Sequence, residues 1–262
     1  VTTRDKTQTK RVDGERRRDA LGLAVVLVGV VAFAALVSSP GLWETALRAL
    51  YPDAREVLHP RGTLVGFTLE HLAIVGLSSA LTIALGVPLG IFVTRPVGKQ
   101  FRPLVASAVD LGQTFPPVAV LALAMPILGF GFAPTVVALI LYGLFPVVSG
   151  TIAGIEAVRP PVIEAAVGMG MSPGQVLMRV ELPLASRVIM AGIRTSVAIN
   201  IGTATVGAAI GTGGLGVPII GGLAVQNMAY VIEGALPAAM LAVLADALIG
   251  RIERAVTVPG GP

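Results

Sequence analysis

The chain has 262 residues, a mean hydropathy of +0.85, 54% hydrophobic residues and 13% charged residues. Soluble domains carry about 25% charged residues, so these charges are too few to cover a water-facing surface, and the long apolar runs need lipid as solvent. The lack of cysteine excludes disulfides, thiolate metal sites and a Cys nucleophile, and His59 and His71 show no metal-ligand spacing.

Residues 1–19 are polar and rich in Lys and Arg, and read as a cytoplasmic basic tail. Six apolar segments follow, near 20–38, 68–93, 103–127, 133–155, 187–210 and 231–250. A span needs about 20 residues, and backbone in lipid must satisfy its own hydrogen bonds. The expectation is an all-α integral membrane protein with six transmembrane helices. The first run is long for a signal peptide, and Ser38-Ser39-Pro40 is a poor cleavage site, so it is read as a span. Residues 20–66 then hold the first helix and an outer connection, 67–254 the main membrane domain, and 255–262 a cytoplasmic C-terminal tail.

Sidedness follows from charge. With the N-terminus inside, sixteen of the 19 Lys and Arg residues fall on inner segments, and only Arg48, Arg55 and Arg61 fall outside. That asymmetry places both termini in the cytoplasm, and it explains the basic charge without nucleic acid. In the outer stretch 39–67, Trp43, Leu47, Leu50 and Tyr51 recur at roughly helical spacing, which predicts an interfacial or linker helix.

Between the fourth and fifth segments lies a cytoplasmic loop, 156–186, with helix signals of its own. Pro160 and Pro161 suit a first helical turn, and Gly168 and Gly170 can end it. Ser172, Pro173 and Gln175 fit an N-cap, N1 and N3 capping box. Two short helices joined by a glycine turn are expected.

This loop carries Glu164-Ala165-Ala166, then Gly170, Val180 and Leu182-Pro183, the spacing of E-A-A, three residues, G, nine residues, I, one residue, L-P. It resembles the cytoplasmic signature of binding-protein-dependent ABC importer permeases of type I, with Val180 in place of the usual Ile. The resemblance implies a coupling helix docked in a groove of an ATP-hydrolysing partner. It implies a role there for Glu164, Ala165, Ala166, Gly170, Met171, Ser172, Leu182 and Pro183. Small alanines would permit close approach and Glu164 would offer a charged anchor. Further runs are similar to the osmoprotectant group, which imports glycine betaine, choline and carnitine: Gln113-Thr114-Phe115-Pro116-Pro117, Val188 to Thr195, Ile201-Gly202-Thr203-Ala204-Thr205, Ile210 to Gly216 and Leu244-Ala245-Asp246. Methionine and phosphonate permeases share much of this layout.

The partners implied are two ATP-binding cassette ATPase subunits, a second permease chain of the same or a related kind, an extracytoplasmic substrate-binding protein and the bilayer. The chain has no G-x-x-x-x-G-K-[ST] loop, so it is not expected to be an enzyme or to bind a cofactor, with ATP and Mg held by the partner ATPase. Aromatic residues make up 5% of the chain, too sparse for an aromatic cage, so selection should rest with the binding protein. An ion-coupled secondary carrier would show midplane acidic residues and inverted repeats, neither of which is evident.

Polar residues in apolar surroundings are candidates for the translocation path: Gln113, Thr114, Asn200, Thr203 and Thr205. Hydrogen bonds between helices are the alternative role. Gly211 to Gly216 spells G-x-G-x-x-G, but it follows a membrane helix rather than a strand, which excludes a dinucleotide site. Gly213, Gly214 and Gly216 are expected to form tight backbone near an outer gate. Asp110 and Asp246 are expected to pair with Arg187 or Arg194.

Overall fold

The computed structural model describes residues 21–256, and every regular element among them is helical. The expected tail 1–19, residue 20 and residues 257–262 lie outside the described residues.

α1 (Leu21–Val37) and α2 (Pro40–Leu50) meet at 76°. Pro40 has no N–H to continue the first helix and instead opens the second. Trp43 and Leu47 of α2 are buried, and the Trp43 indole N–H closes the corner on the Leu36 carbonyl at 3.0 Å. Leu50 is exposed and Tyr51 is only the cap, so the expected helix exists but its buried stripe is narrower.

α3 (Leu64–Thr94) starts at Thr63, whose hydroxyl accepts from the Gly66 amide at 3.1 Å. It ends where Arg95 is held extended ahead of Pro96. A turn at Lys99–Phe101 leads into α4 (Arg102–Thr114) and α5 (Pro117–Leu128), bent by 100°. The segment 103–127 is therefore not the single span expected. Pro116 pushes Phe115 into extended backbone with ψ of 135°, and two consecutive prolines supply no amide to bridge the break.

α6 (Phe132–Glu156) packs along both α3 and α9 (Leu182–Gly207). Its contact with α9 is built on small residues. Gly150 and Gly154 face Gly192 and Ala185, and a Cβ on Gly192 would strike the Pro146 carbonyl. Without a hydrophobic drive in lipid, such close backbone approach is what helix pairing rests on. α11 (Met228–Val256) lies on α9, and the short α10 (Gly216–Ala224) packs against α11.

Among the described residues, α3, α6 and α11 are each long and apolar enough to cross a membrane, and the two bent pairs raise this to five at most. The fifth segment, 187–210, is the helix α9, which carries Arg187 and Arg194 and is not in that set. Arg194 forms a two-pronged ion pair with Asp246 of α11, its Nη2 lying 2.6 Å from Oδ2, as expected; Asp110 stays exposed on α4.

Candidate functional site

Three features stand out, at one end of the bundle, at its middle and at the opposite end. At the first end, α7 (Pro160–Gly168) and α8 (Pro173–Val176) form the two expected short helices. α7 stops in a Schellman arrangement. The Met171 amide donates to the Ala166 carbonyl at 3.2 Å and the Gly170 amide to Val167 at 2.9 Å. Gly170 takes φ of +81°, which a side chain would strain. The capping box also forms: the Ser172 amide donates to Gln175 Oε1 at 2.8 Å, and the Gln175 amide donates to the Ser172 hydroxyl.

After α8 the backbone widens into a π-turn, Leu177–Glu181, before Leu182 and Pro183 open α9. Pro183 offers no N–H to the carbonyl four residues back, and its ring would crowd that carbonyl in a regular helix. Glu164 and Ala165 are exposed. Ala166 is only 2% exposed and turned into the loop, so of the two alanines only Ala165 can admit a partner. Val162, Val167 and Met169 add an exposed apolar surface around Glu164. A rigid, capped knob with such a surface is suited to insertion in a complementary groove.

In the middle, the break between α4 and α5 is tied to α6 through Tyr142, a residue that sequence reasoning missed. The Gln113 side-chain amide donates to the Tyr142 carbonyl at 2.7 Å, and the Tyr142 hydroxyl donates to the Phe115 carbonyl. Thr114 and Phe115 are exposed at the break, and the Thr114 hydroxyl turns back to Leu111. Thr203 and Thr205 are half-buried on α9. Asn200 differs: it is fully buried, and its Nδ2 donates to Ser79 Oγ of α3 at 3.1 Å. That is a helix-to-helix hydrogen bond rather than a surface open to a solute. His71 is equally buried and donates from Nε2 to the Ile201 carbonyl at 3.0 Å.

At the opposite end, the glycine run packs on the first turns of α3. Gly211, Gly213 and Gly214 all have positive φ. The Gly214 amide donates to Glu70 Oε2 at 2.8 Å, and a Cβ there would press on His71. A Cβ on Gly216 would strike the Thr205 carbonyl. Thr212 bonds to Thr135 and to the Gly131 carbonyl, which ties the run to the turn before α6. Glu70 thus ties the start of α3 to the glycine run. Nearby, buried His59 packs edge-on against Phe67 and Tyr230, and its amide donates to Glu233 at 2.7 Å. Burial, and then the Arg61 charge, hold the His59 pKa below the usual imidazole value.

Among the described residues no group of His, Cys, Asp or Glu could hold a metal ion. A family model described as a binding-protein-dependent transport system inner membrane component matches residues 86–258. The chain is 40% identical over 199 residues to the choline transport system permease protein OpuBB of Bacillus subtilis, covering 76% of this chain and 91% of that one. It is 39% identical over 213 residues to the osmoprotectant import permease protein OsmY of Salmonella typhimurium, covering 81% and 87%. Its fold is similar to a chain of the MetNI methionine ABC transporter in an inward-facing conformation, with a TM-score of 0.66, 24% identity, and 74% and 96% of the two chains covered.

Proposed function

This chain belongs to the family of inner-membrane components of binding-protein-dependent transport systems, and on that premise we propose that it forms the path by which an ATP-driven importer takes up a small osmoprotectant such as glycine betaine, choline or carnitine. The observation that carries this is the capped, outward-facing α7–α8 knob with Glu164, Ala165 and Met169 on its surface. The knob takes up the motion of two partner ATPase subunits, which hold ATP and Mg. Both chain termini lie on the same cytoplasmic side.

The path runs past the break at Phe115, where Gln113 and Thr114 sit, with Thr203 and Thr205 on α9. A break in a membrane helix is where transporters bind solutes, and Thr114 and Phe115 are exposed at this one. Exposed Leu111, Val118, Leu123 and Ile127 on α4 and α5 suit a second permease chain across the path. Gly213, Gly214 and Gly216 form an outer gate held by Glu70, facing an extracytoplasmic binding protein that selects the solute.

The substrate class rests on the permeases named above. A test is uptake into liposomes holding this chain, its ATPase and its binding protein, with labelled glycine betaine, choline, methionine and a phosphonate. ATP-dependent uptake of a quaternary amine is the expected result. Uptake of methionine or phosphonate instead discards the substrate class, and uptake driven by an ion gradient without ATP discards the importer.

A further inference from the structure

One short connection grips both stems of the cytoplasmic loop. α6 enters the loop at Glu156, and the π-turn before α9 leaves it at Glu181. The connection from α3 to α4 carries an arginine at each end. Arg95, the cap of α3, donates from Nη1 to Glu181 Oε2 at 2.7 Å. Arg102, the first residue of α4, pairs with Glu156 in two-pronged fashion, its Nη2 lying 2.9 Å from Oε2. Between the pairs lies a cleft of about 210 Å³, walled by Lys99, Val158 and Ile163 of α7.

The two pairs differ in setting. Glu181 is 8% exposed, and a carboxylate so buried needs its charged partner. Arg102 and Glu156 are 41% and 45% exposed, so water discounts the stability of that pair, and its planar geometry contributes direction instead. The half-buried Thr94 reinforces the first anchor, since the Arg95 guanidinium also donates to the Thr94 hydroxyl at 3.1 Å.

α4 runs from Arg102 to the break at Phe115. A force on the loop therefore reaches the first residue of a helix whose last turn holds Gln113 and Thr114. We propose that Arg95 and Arg102 are positioning residues that carry displacement of the cytoplasmic loop to α4 and so to the break at Phe115–Pro116. This deepens the functional reading above and rests on it. A rigid element held at both ends by specific contacts is a physical route for such coupling. Arg95 fixes the outgoing stem to α3, so the loop cannot shift without moving the connection, and Arg102 passes that shift into α4.

The test measures solute uptake and ATP hydrolysis in the same vesicles, with this chain beside its ATPase and binding protein. Arg95→Gln and Arg102→Gln are each expected to raise the ATP hydrolysed per solute imported about tenfold, while the ATPase still co-purifies with the chain. The exchanged pair Arg102→Glu with Glu156→Arg is expected to bring the ratio back most of the way, because an exposed pair tolerates reversal. If Arg95→Gln fails to assemble, the Arg102 variants decide the matter alone. An unchanged ratio in the variants, or no recovery in the exchanged pair, overturns the clamp while leaving uptake by the unaltered chain intact. No ATP-driven uptake by the unaltered chain overturns the functional reading and the clamp with it.

Discussion

Gln113 and Tyr142 are joined across the bend between α4 and α5, the side-chain amide of one donating to the main-chain carbonyl of the other at 2.7 Å. The Tyr142 hydroxyl returns a bond to the Phe115 carbonyl, so a main-chain acceptor left without a helical partner at the break is answered from α6. An unanswered group in that setting costs about 1–3 kcal/mol.

Tyr142→Phe removes the return bond and keeps the ring. Its expected effect is a loss of about 1–2 kcal/mol in stability, together with reduced uptake. Thermal unfolding in detergent and uptake in liposomes measure the two. Full stability and full uptake in the variant would mean that the bend holds itself.

Gly214→Val places a branched side chain at φ of +78° and against His71. Such backbone costs about 1–3 kcal/mol. The variant should still co-purify with its ATPase but lose most uptake. Wild-type uptake would show that the glycine run is not part of a gate. Glu70→Gln keeps an acceptor for the Gly214 amide and should be much milder.

Met169→Glu and Ala165→Trp alter the exposed surface at α7; Met169 is its C-cap, but it caps through its main-chain N–H, which both substitutions keep. Both should reduce co-purification of the ATPase subunits by at least about tenfold, a loss of about 1.4 kcal/mol in binding. Gly170→Val should do the same by another route, since it breaks the φ of +81° that ends α7. Normal ATPase recovery in all three would place the contact elsewhere on the loop.

His59 supplies a pH dependence. Its folded-state pKa lies below the usual value of about 6.5, because burial and Arg61 disfavour the charged ring. Its contribution is therefore fully present above that unfolded value and is lost as pH falls through it towards the folded value. Trp43, the chain's one tryptophan, lines a pocket with Leu58 and Glu233 next to this cluster. Glu233 is a second titratable group on that pocket, so the test uses a Glu233→Gln background: Trp43 fluorescence should change as pH falls below about 6.5, and His59→Phe should remove that change. A transition that persists in His59→Phe would assign it to another group.

Asn200→Leu should lower stability by about 1–2 kcal/mol, since Ser79 loses its buried partner. The ratio of choline to glycine betaine uptake should not move. A shift in that ratio would return Asn200 to the path.

The α7–α8 knob was legible residue by residue because its determinants are local. Pro160, Gly170, Ser172 and Gln175 act through bonds to neighbours within five positions, so chain order alone specifies them. The apolar runs were legible for a similar reason, since each helix answers its own backbone in lipid. Breaks at proline could be seen, but the 100° angle between α4 and α5 could not, because Tyr142 and the packing of α6 decide it. The rotation of a helix about its axis is also a tertiary matter. It turned Asn200 towards Ser79 and Ala166 into the loop, while periodicity alone left both facings open. Likewise Arg95 and Glu181 stand 86 positions apart, and only the folding of α3 beside α9 brings guanidinium and carboxylate within bonding distance. The sequence by itself determined where the apolar helical runs lie and what the loop looks like; the tertiary structure decided where a run breaks and which polar groups meet, because those outcomes depend on how uniformly apolar helices bend, rotate and cross.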